Sequence, residues 1–430
     1  MDILPGTRVN LHTKKGDFEC MILEAPSQDI ILVKLNSGYN IGIKEEDIID
    51  LKIIKEKDDG EEKKSNEKFD KLNNKKELSN IAMIMTGGTI SSHLDYKTGG
   101  VKWLTKADEL LKFYPGILSI ANIVKIESPF MEASENMDYS HWKKIAETAG
   151  KLLNDPNING VIVTHGTDFL HYSASALAFS LKNLNKPVVL TYSQRSSDRA
   201  SSDANLNLQC AARAAISDIA EVMLVGHANL DDEFCYALPA TKVRKLHSSR
   251  RDTFRPINSR PIAKVWPDKI EIMKEYNPRD NKKKVEVKAH FKDKVALVKF
   301  YPGQDPNILD YYSKNKYKGL VVETSGLGHV ITNGKYNWIP KLKKAVKSGL
   351  IICAAPQTIY GKLDPFVYSA GRELEETGII YLQDMLPETA FVKLSWVLGD
   401  TKMSKNVKAS MLNNFAGEFN DNISQDEFLN

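Results

Sequence analysis

The chain has 430 residues, of which 42% are hydrophobic and 27% are charged, proportions that are ordinary for a globular protein with a large core. The formal net charge is only +4, so charge alone gives no case for nucleic-acid binding. No apolar segment typical of a signal peptide follows Met1, and no apolar stretch reaches about 18 residues. We therefore expect a cytoplasmic protein that does not enter a membrane.

The four cysteines lie far apart and have no C-x-x-C spacing. This pattern argues against both metal ligation and a disulfide framework in a chain of this length. We therefore expect buried free thiols in a reducing compartment.

Residues 1–55 contain short strand-like runs separated by turn signals, at 7–11, 18–23, 30–35 and 39–43. Closely spaced short strands favour a small SH3-like β-barrel. The following residues, 56–78, are almost all charged or amide residues and cannot bury a core. We interpret them as a solvated linker, with a short helix as the alternative.

From residue 81 the pattern changes to apolar strands alternating with helices. The strand candidates are 81–85, 161–164, 187–192, 221–226, 295–300, 319–324 and 350–355. The helix candidates are 139–154, 169–183, 204–217, 307–315 and 338–348. This alternation predicts α/β domains with parallel sheets.

A charged stretch at 276–285 interrupts the alternation. It predicts two α/β lobes, an N-terminal one at 79–275 that carries the catalytic residues and a C-terminal one at 286–410. A C-terminal tail at 411–430 follows.

Two threonines are each set beside glycine just after an apolar strand. Thr89 lies in the sequence TGGTI at 86–90, and Thr167 lies in THGTD at 164–168. Functional groups of α/β sheets gather at the carboxyl ends of such strands, so the two hydroxyls can meet in one crevice. The pattern suggests threonine-based hydrolysis of an amide, and the alternative is that the glycines only make tight turns.

Three residues near these threonines are candidates for supporting roles. Tyr96 lies in a flexible-looking stretch and could close over a substrate and assist proton transfer. Asp168 could bind an ammonium group or orient a base, and capping of the following helix is the alternative. His165 is a candidate general base, but its position at a strand end favours a structural role.

Three more candidates lie in polar segments. Lys245, in the basic run 241–254, could act as a base if burial lowers its pKa, and a basic surface loop is the alternative. Ser134 and Glu135 precede a helix, where they could hold the carboxylate and ammonium ends of a substrate. The alternative is that a residue here caps the helix.

Taken together, these motifs resemble the L-asparaginase family from about residue 79 to residue 399. The sequence TGGTI, the Ser134–Glu135 cluster, THGTD and Lys245 occur in the order and approximate spacing of that family. The resemblance implies a two-lobed α/β fold that needs no metal.

The resemblance also implies roles for individual residues. Thr89 would be the nucleophile that attacks the side-chain amide of asparagine or glutamine and forms an acyl-enzyme, with Tyr96 as its loop partner. Thr167, Asp168 and Lys245 would form the second catalytic group. Backbone N–H groups would stabilise the oxyanion.

Ser134 and Glu135, by the same resemblance, would hold the α-carboxylate and α-ammonium groups of the substrate. Simple asparaginases often place a polar residue of a neighbouring subunit near the glycine-rich stretch at 325–328. Leu327 cannot supply that hydrogen bond. This departure fits a larger glutamine pocket or an opening toward a partner.

A narrower resemblance includes the N-terminal block. The domain order and the stretches 241–254, 325–330 and 384–399 are similar to the D subunits of archaeal glutamyl-tRNA(Gln) amidotransferases. This implies a glutaminase that supplies ammonia to a partner E subunit, which binds Glu-tRNA(Gln) and activates its glutamate with ATP and Mg²⁺. It also implies no cofactor in this chain, a homodimer, and a heterotetramer of two D and two E chains.

Two alternatives remain at this point. A free-standing L-asparaginase would not need the N-terminal block. A catalytically inert ribonucleoprotein scaffold of the same fold would not need the set of candidate catalytic residues.

Overall fold

The computed structural model of the chain describes residues 6–23, 30–35, 40–54, 75–94, 101–103, 114–196 and 201–428. Tyr96 and most of the expected linker lie outside these residues. No helix in the described ranges combines the length and apolar character needed to cross a membrane.

The strands, in chain order, are β1 (Arg8–Thr13), β2 (Gly16–Ile22), β3 (Ile30–Leu35), β4 (Asn40–Lys44), β5 (Ile48–Ile53), β6 (Asn80–Met85), β7 (Ser92–Leu94), β8 (Val101–Trp103), β9 (Asn122–Glu127), β10 (Val161–Thr164), β11 (Leu181–Lys182), β12 (Val188–Thr191), β13 (Val222–His227), β14 (Cys235–Pro239), β15 (Val243–Lys245), β16 (Phe254–Pro256), β17 (Ala263–Val265), β18 (Ile270–Ile272), β19 (Glu286–Val287), β20 (Val295–Lys299), β21 (Gly319–Thr324), β22 (Ile351–Pro356) and β23 (Ile380–Tyr381). The α-helices of the described residues are α1 (Tyr139–Leu153), α2 (Leu170–Ser180), α3 (Ala204–Ala215), α4 (Ile308–Lys314), α5 (Ile339–Lys347), α6 (Ser369–Glu375), α7 (Pro387–Gly399) and α8 (Val407–Leu412).

The first five strands form an antiparallel sheet in the order β4-β3-β2-β1-β5. Along β1, buried and exposed residues alternate, as the two-residue period of a strand requires. Val9 and Leu11 point inward and pack with Cys20 and Val33 in a small core of their own. The prediction of a β-rich N-terminal block is confirmed.

The first α/β lobe is built on an eight-stranded sheet in the order β18-β17-β14-β13-β12-β10-β6-β9. The strands from β13 to β9 in this order are parallel, which confirms the predicted α/β fold. Strands β14, β17 and β18 add an antiparallel extension that the sequence pattern did not predict. The links from β13 to β14 and from β17 to β18 contain no helix, and such short links join antiparallel strands.

Helices cover both faces of this sheet. On one face, α1 and α2 contribute Ala149 and Leu177 to the core. On the other, α3 contributes Leu208 and Ala211. All four residues of β10 are buried as a result, which explains why this strand is a continuous apolar run.

The second lobe has four parallel strands in the order β20-β21-β22-β23. Helices α4 and α5 cover its outer face, while α7 lies between the sheet and α2 of the first lobe. Phe179 of α2 and Trp396 of α7 are stacked, with ring centroids 5.5 Å apart. The two lobes therefore share a continuous apolar core.

The residues after α8 pack against both lobes. The buried carboxylate of Glu418 accepts hydrogen bonds from the backbone N–H groups of Phe415 and Ala416, and it lies 2.7 Å from Lys393 Nζ in the second lobe. Thr241 of the first lobe donates to the carbonyl of Ala416 at 2.9 Å. The C-terminal segment therefore contacts both lobes and stabilises their association.

Candidate active site

The two glycine-bearing turns leave the first sheet side by side. Strands β6 and β10 are parallel neighbours, and Met85 lies opposite Thr164 at their carboxyl ends. Thr86 fastens the turns together, because its Oγ1 donates to the Thr164 carbonyl at 2.8 Å and its backbone N–H donates to the same oxygen at 3.2 Å. The segments that contain Thr89 and Thr167 therefore start from one point at the sheet edge.

Two glycines shape the turn that leads to Thr89. Gly87 and Gly88 have φ angles of 112° and 81°, which side chains disfavour. A Cβ atom at Gly87 would lie 2.4 Å from the Glu132 carbonyl oxygen, and one at Gly88 would lie 2.4 Å from the Gly166 nitrogen. The glycines are thus needed both for conformation and for close backbone packing.

Thr89 begins a short 3₁₀ helix, Thr89–Ser91. Its side chain is half-buried, and its carbonyl accepts a hydrogen bond from Ser92 Oγ at 2.8 Å. Ser91 Oγ lies 3.2 Å from Thr164 Oγ1. The 3₁₀ helix that begins with Thr89 is therefore joined to the second turn through Ser91.

A third loop joins the first two at Gly166. A Cβ atom at Gly166 would lie 3.0 Å from Ser134 Oγ, so the Ser134 loop touches the Thr167 loop directly. Ser134 Oγ also accepts a hydrogen bond from the Phe169 N–H at 3.3 Å. Ser134 therefore satisfies a backbone donor at the start of α2, and the N-cap of α1 is Asp138 instead.

Lys245 reaches the second turn from β15. Its Nζ atom lies 2.8 Å from Thr167 Oγ1 and 2.8 Å from Asp168 Oδ1. The Lys245 side chain is only 11% exposed, so it is not part of a surface loop as the composition of its segment would allow. A lysine in this position can exchange a proton with the Thr167 hydroxyl, and the Asp168 carboxylate can stabilise its ammonium form.

Asp168 does not cap the following helix. Helix α2 has Phe169 at its N-cap and no side-chain cap. The Asp168 side chain is 61% exposed and is available to a ligand as well as to Lys245. The contact with Lys245 thus distinguishes it from a simple helix cap.

Glu135 is exposed and shares a cavity of about 340 Å³ with Ser134. Aromatic side chains of α1 and α2 line much of this cavity, and Leu297 and Phe391 close it from the second lobe. Thr89 and Lys245 are not part of its lining. Ser134 and Glu135 therefore stand between the two threonine turns and a largely apolar space between the lobes.

His165 is buried, and both of its ring nitrogens have partners. Nδ1 lies 2.8 Å from the Gly166 carbonyl, and Nε2 lies 2.8 Å from Ser173 Oγ. Burial lowers the pKa of His165 to about 4, so the ring is neutral near pH 7. These contacts favour the structural role, in which Nδ1–H donates to the carbonyl and Nε2 accepts from the serine.

The structure adds two residues that the sequence motifs did not single out. Thr86 joins the turns, and Arg244 forms a 2.8 Å ion pair with Glu388 of the second lobe beside Lys245. Thr86 belongs to the TGGTI motif, so its position could have signalled this contact. The contact between Arg244 and Glu388 joins residues that are distant in the sequence, and no motif indicates it.

The fold and the residues at its strand ends define an asparaginase-like α/β protein. Family models for the N-terminal domain of asparaginase and for the glutaminase/asparaginase C-terminal domain match residues 80–278 and 294–411. The structure is similar to that of the thermostable L-asparaginase of Thermococcus kodakarensis, with a TM-score of 0.70 and 26% identity over 80% of this chain and 100% of that one. L-asparaginase I of Vibrio cholerae is similar at a TM-score of 0.68 and 26% identity, over 80% of this chain and 99% of that one.

The N-terminal sheet distinguishes this chain from simple asparaginases. A family model for the GatD N-terminal domain matches residues 3–54. The D subunit of glutamyl-tRNA(Gln) amidotransferase from Thermococcus kodakarensis is 45% identical over 99% of this chain and 96% of its own length. The corresponding protein of Pyrococcus furiosus is 44% identical over 97% of this chain and 94% of its own. The chain belongs to the family of glutamyl-tRNA(Gln) amidotransferase D subunits.

Proposed function

We propose that this chain is the ammonia-producing component of a cytoplasmic glutamyl-tRNA(Gln) amidotransferase. It hydrolyses the side-chain amide of glutamine, or of asparagine, and passes the ammonia to a partner E subunit. The partner binds Glu-tRNA(Gln), activates its glutamate with ATP and Mg²⁺, and uses the ammonia to form Gln-tRNA(Gln). Two D chains form a homodimer that joins two E chains.

The chemistry proceeds through an ester of Thr89. The Thr89 hydroxyl attacks the amide carbon, loses its proton to a basic group, and forms a tetrahedral intermediate whose oxyanion is held by backbone N–H groups. The C–N bond then breaks, and the nitrogen leaves as ammonia after it gains a proton. Water attacks the ester, which releases glutamate and returns the proton to Thr89.

Other residues divide the remaining roles. Lys245, Thr167 and Asp168 move the protons, and Tyr96 assists them. Ser134 and Glu135 hold the α-carboxylate and the α-ammonium group of the substrate. The chain needs no metal for these steps.

The observation that carries this proposal is the placement of Lys245 Nζ at 2.8 Å from both Thr167 Oγ1 and Asp168 Oδ1. Thr167 and Asp168 lie on the turn that packs against the Thr89 turn through Gly88 and Gly166. A catalytically inert scaffold would have no need to hold a lysine between a hydroxyl and a carboxylate, so this arrangement favours an enzyme.

The N-terminal sheet favours an amidotransferase component over a free-standing asparaginase. The similar asparaginase structures cover 80% of this chain, whereas the amidotransferase D subunits named above cover 97–99% of it. Residues 3–54 are therefore shared with proteins named as components of an amidotransferase.

The proposal is tested by measuring ammonia release from glutamine and from asparagine. The assay is run with the chain alone and with the E subunit, Glu-tRNA(Gln), ATP and Mg²⁺, and Gln-tRNA(Gln) is measured in parallel. We expect ammonia release to rise in the complete mixture and to be coupled to amidation. Full and equal activity of the isolated chain on asparagine would instead identify a free-standing asparaginase.

A Thr89→Ala variant tests the nucleophile in the same assay, with Thr148→Ala as the matched control. Thr148 is a half-buried threonine of α1 whose hydroxyl donates to the Lys144 carbonyl. We expect Thr89→Ala to abolish ammonia release and Thr148→Ala to leave it near the wild-type rate. Normal ammonia release by Thr89→Ala would exclude Thr89 as the nucleophile.

A further inference from the structure

The segment that ends in Lys245 forms hydrogen bonds and an ion pair with the second lobe through residues that precede the lysine. The Thr241 carbonyl accepts a hydrogen bond from Thr389 Oγ1 at 2.9 Å, and Thr241 Oγ1 donates to the Ala416 carbonyl at 2.9 Å. Lys242 forms a fully buried ion pair with Asp384, with 2.5 Å between Nζ and Oδ2. The base of β15 is therefore fixed to the second lobe and to the C-terminal segment.

The last contact of this series is the ion pair of Arg244. Its Nε atom donates to Glu388 Oε1 at 2.8 Å, and the two side chains are 24% and 8% exposed. Arg244 precedes Lys245 in β15, and neighbouring strand residues point to opposite faces. The strand is thus held from one face by Glu388, while from the other face Lys245 reaches Thr167 and Asp168.

Glu388 is well placed to act as an anchor. It lies in the first turn of α7, where the helix dipole favours a negative charge, and α7 is buried between the lobes. Its Oε2 atom has no hydrogen-bond partner among the described residues, so Arg244 is the group that balances its charge there. Glu323, with Lys299 beside it at 3.9 Å, is a second carboxylate near this pair.

We propose that Arg244 is a positioning residue for Lys245 and that Glu388 is its anchor. The second lobe would then set the place of the catalytic lysine, which belongs to the first lobe. This inference rests on the proposed role of Lys245 in amide hydrolysis.

Loss of the Arg244 contact should lower kcat and leave KM nearly unchanged. The end of β15 would move with Lys245, and a displacement of about 1 Å can cost roughly 100-fold in rate. Ser134 and Glu135 lie on a different loop and would still bind the substrate. A smaller fraction of folded enzyme would also lower the apparent kcat at unchanged KM, so kcat is calculated for the folded fraction measured by circular dichroism.

The test compares Arg244→Met with Lys341→Met in the enzyme assembled with its partner E subunit, Glu-tRNA(Gln), ATP and Mg²⁺. Methionine keeps much of the length of the side chain and removes the donor. Lys341 pairs with Asp310 at 2.5 Å between α5 and α4, and these side chains are 30% and 23% exposed. We expect kcat for glutamine hydrolysis to fall about 10- to 100-fold in Arg244→Met and less than about twofold in Lys341→Met.

Two further variants separate positioning from folding. Arg244→Lys retains a donor about one bond beyond the Nε position, so it should recover most of the lost kcat. Arg244→Met leaves the Glu388 carboxylate buried without a cation and could fold poorly for that reason. The double variant Arg244→Met/Glu388→Met removes both charges and can replace the single variant in the test. Its kcat should equal that of Arg244→Met, because both variants break the same contact.

The position of Lys245 is also measured without catalysis. The assembled protein is treated briefly with an amine-acetylating reagent, and modification of Lys245 is followed by peptide mass spectrometry. We expect several-fold faster modification in Arg244→Met than in wild type or Lys341→Met. Unchanged kcat together with unchanged Lys245 modification would overturn the inference, even if wild type releases ammonia and the proposed function stands.

If the wild-type complex releases no ammonia, the proposed function fails. The modification rate then still decides whether Arg244 positions the lysine.

Discussion

Lys245 Nζ lies 2.8 Å from Thr167 Oγ1, although 78 residues separate the two in the sequence. The contact joins β15 to the turn after β10, and Asp168 accepts from the same ammonium group. A lysine with two oxygen partners and a mostly buried side chain can hold or give up a proton at a defined place. This relationship makes the proposed proton-handling role of Lys245 the most direct one to test.

Replacement of Lys245 should reduce ammonia release even when the positive charge is kept. Lys245→Arg retains the charge, but arginine does not lose its proton in proteins, and Lys245→Ala removes the group entirely. We expect kcat for glutamine to fall about 10²- to 10⁴-fold in both variants, the range typical of a lost general base. Lys264→Arg is the control, because Lys264 pairs with Glu271 at the antiparallel end of the sheet. Near-wild-type turnover in Lys245→Arg would show that only its charge matters.

Glu135→Gln should weaken substrate binding more than turnover. If the exposed Glu135 carboxylate holds the α-ammonium group, its loss removes a charged hydrogen bond worth roughly 1.5–3 kcal/mol, and KM for glutamine should rise about 10- to 100-fold. The measurement is steady-state kinetics on glutamine and on the analogue that lacks the α-amino group. The KM for the analogue should not change.

The control for this variant is Glu147→Gln, because Glu147 is an exposed carboxylate of α1 whose near partner is Lys143. A KM for glutamine that is equal in wild type and Glu135→Gln would remove Glu135 from the binding site.

Gly88→Ala should disrupt the site more than a glycine substitution at a similar φ elsewhere. Gly88 has φ 81° and would place a Cβ atom 2.4 Å from the Gly166 nitrogen. Gly334, with φ 66°, has no atom within 4 Å of such a Cβ. A positive φ costs alanine about 1–3 kcal/mol at either position, and only Gly88→Ala adds a backbone clash.

Thermal unfolding and ammonia release are both measured for the two glycine variants. Gly334→Ala should lower Tm by a few degrees and keep its activity. Gly88→Ala should lower Tm further and release little ammonia. Equal effects of the two substitutions would contradict the close packing of the turns.

Stability should fall as the pH drops from 7 to 5. Burial lowers the pKa of His165 to about 4 and that of His171 to about 3, from 6.5 in the absence of burial. Below pH 6.5 the unfolded chain gains protons that the folded chain does not take up. The stability that these neutral rings contribute is complete above that pH and is lost toward the folded pKa values, by roughly 2 kcal/mol per histidine at pH 5.

Thermal unfolding midpoints at pH 7, 6 and 5 measure this effect, with His171→Phe as the comparison. The Nδ1 atom of His171 has no hydrogen-bond partner among the described residues, and its ring lies 4.8 Å from that of Tyr172. A phenyl ring should therefore fit, and the variant should show a shallower loss of stability. Parallel pH curves for the two proteins would assign the loss to other groups.

The α/β alternation and the two threonine turns can be predicted from the amino-acid sequence alone. A continuous apolar run such as 161–164 predicts a strand, because a strand that is buried on both faces has apolar residues throughout. The structure has this strand at Val161–Thr164. Helix α1 begins at Tyr139, as the pattern predicted. The glycine pair before Thr89 can be recognised because few other residues permit the positive φ angles of Gly87 and Gly88, whereas a Cβ atom at Gly166 would crowd Ser134.

The surroundings of Lys245 become visible only in the folded protein. Its segment is basic and by composition belongs on the surface, yet the side chain is mostly buried. Lys245 lies in β15, which pairs with β16. The contacts of Lys245 with Thr167 and of Arg244 with Glu388 join residues that are far apart in the chain. Local hydrophobic patterns indicate which strands are buried. The partners of a buried charge depend instead on how distant segments of the chain pack together.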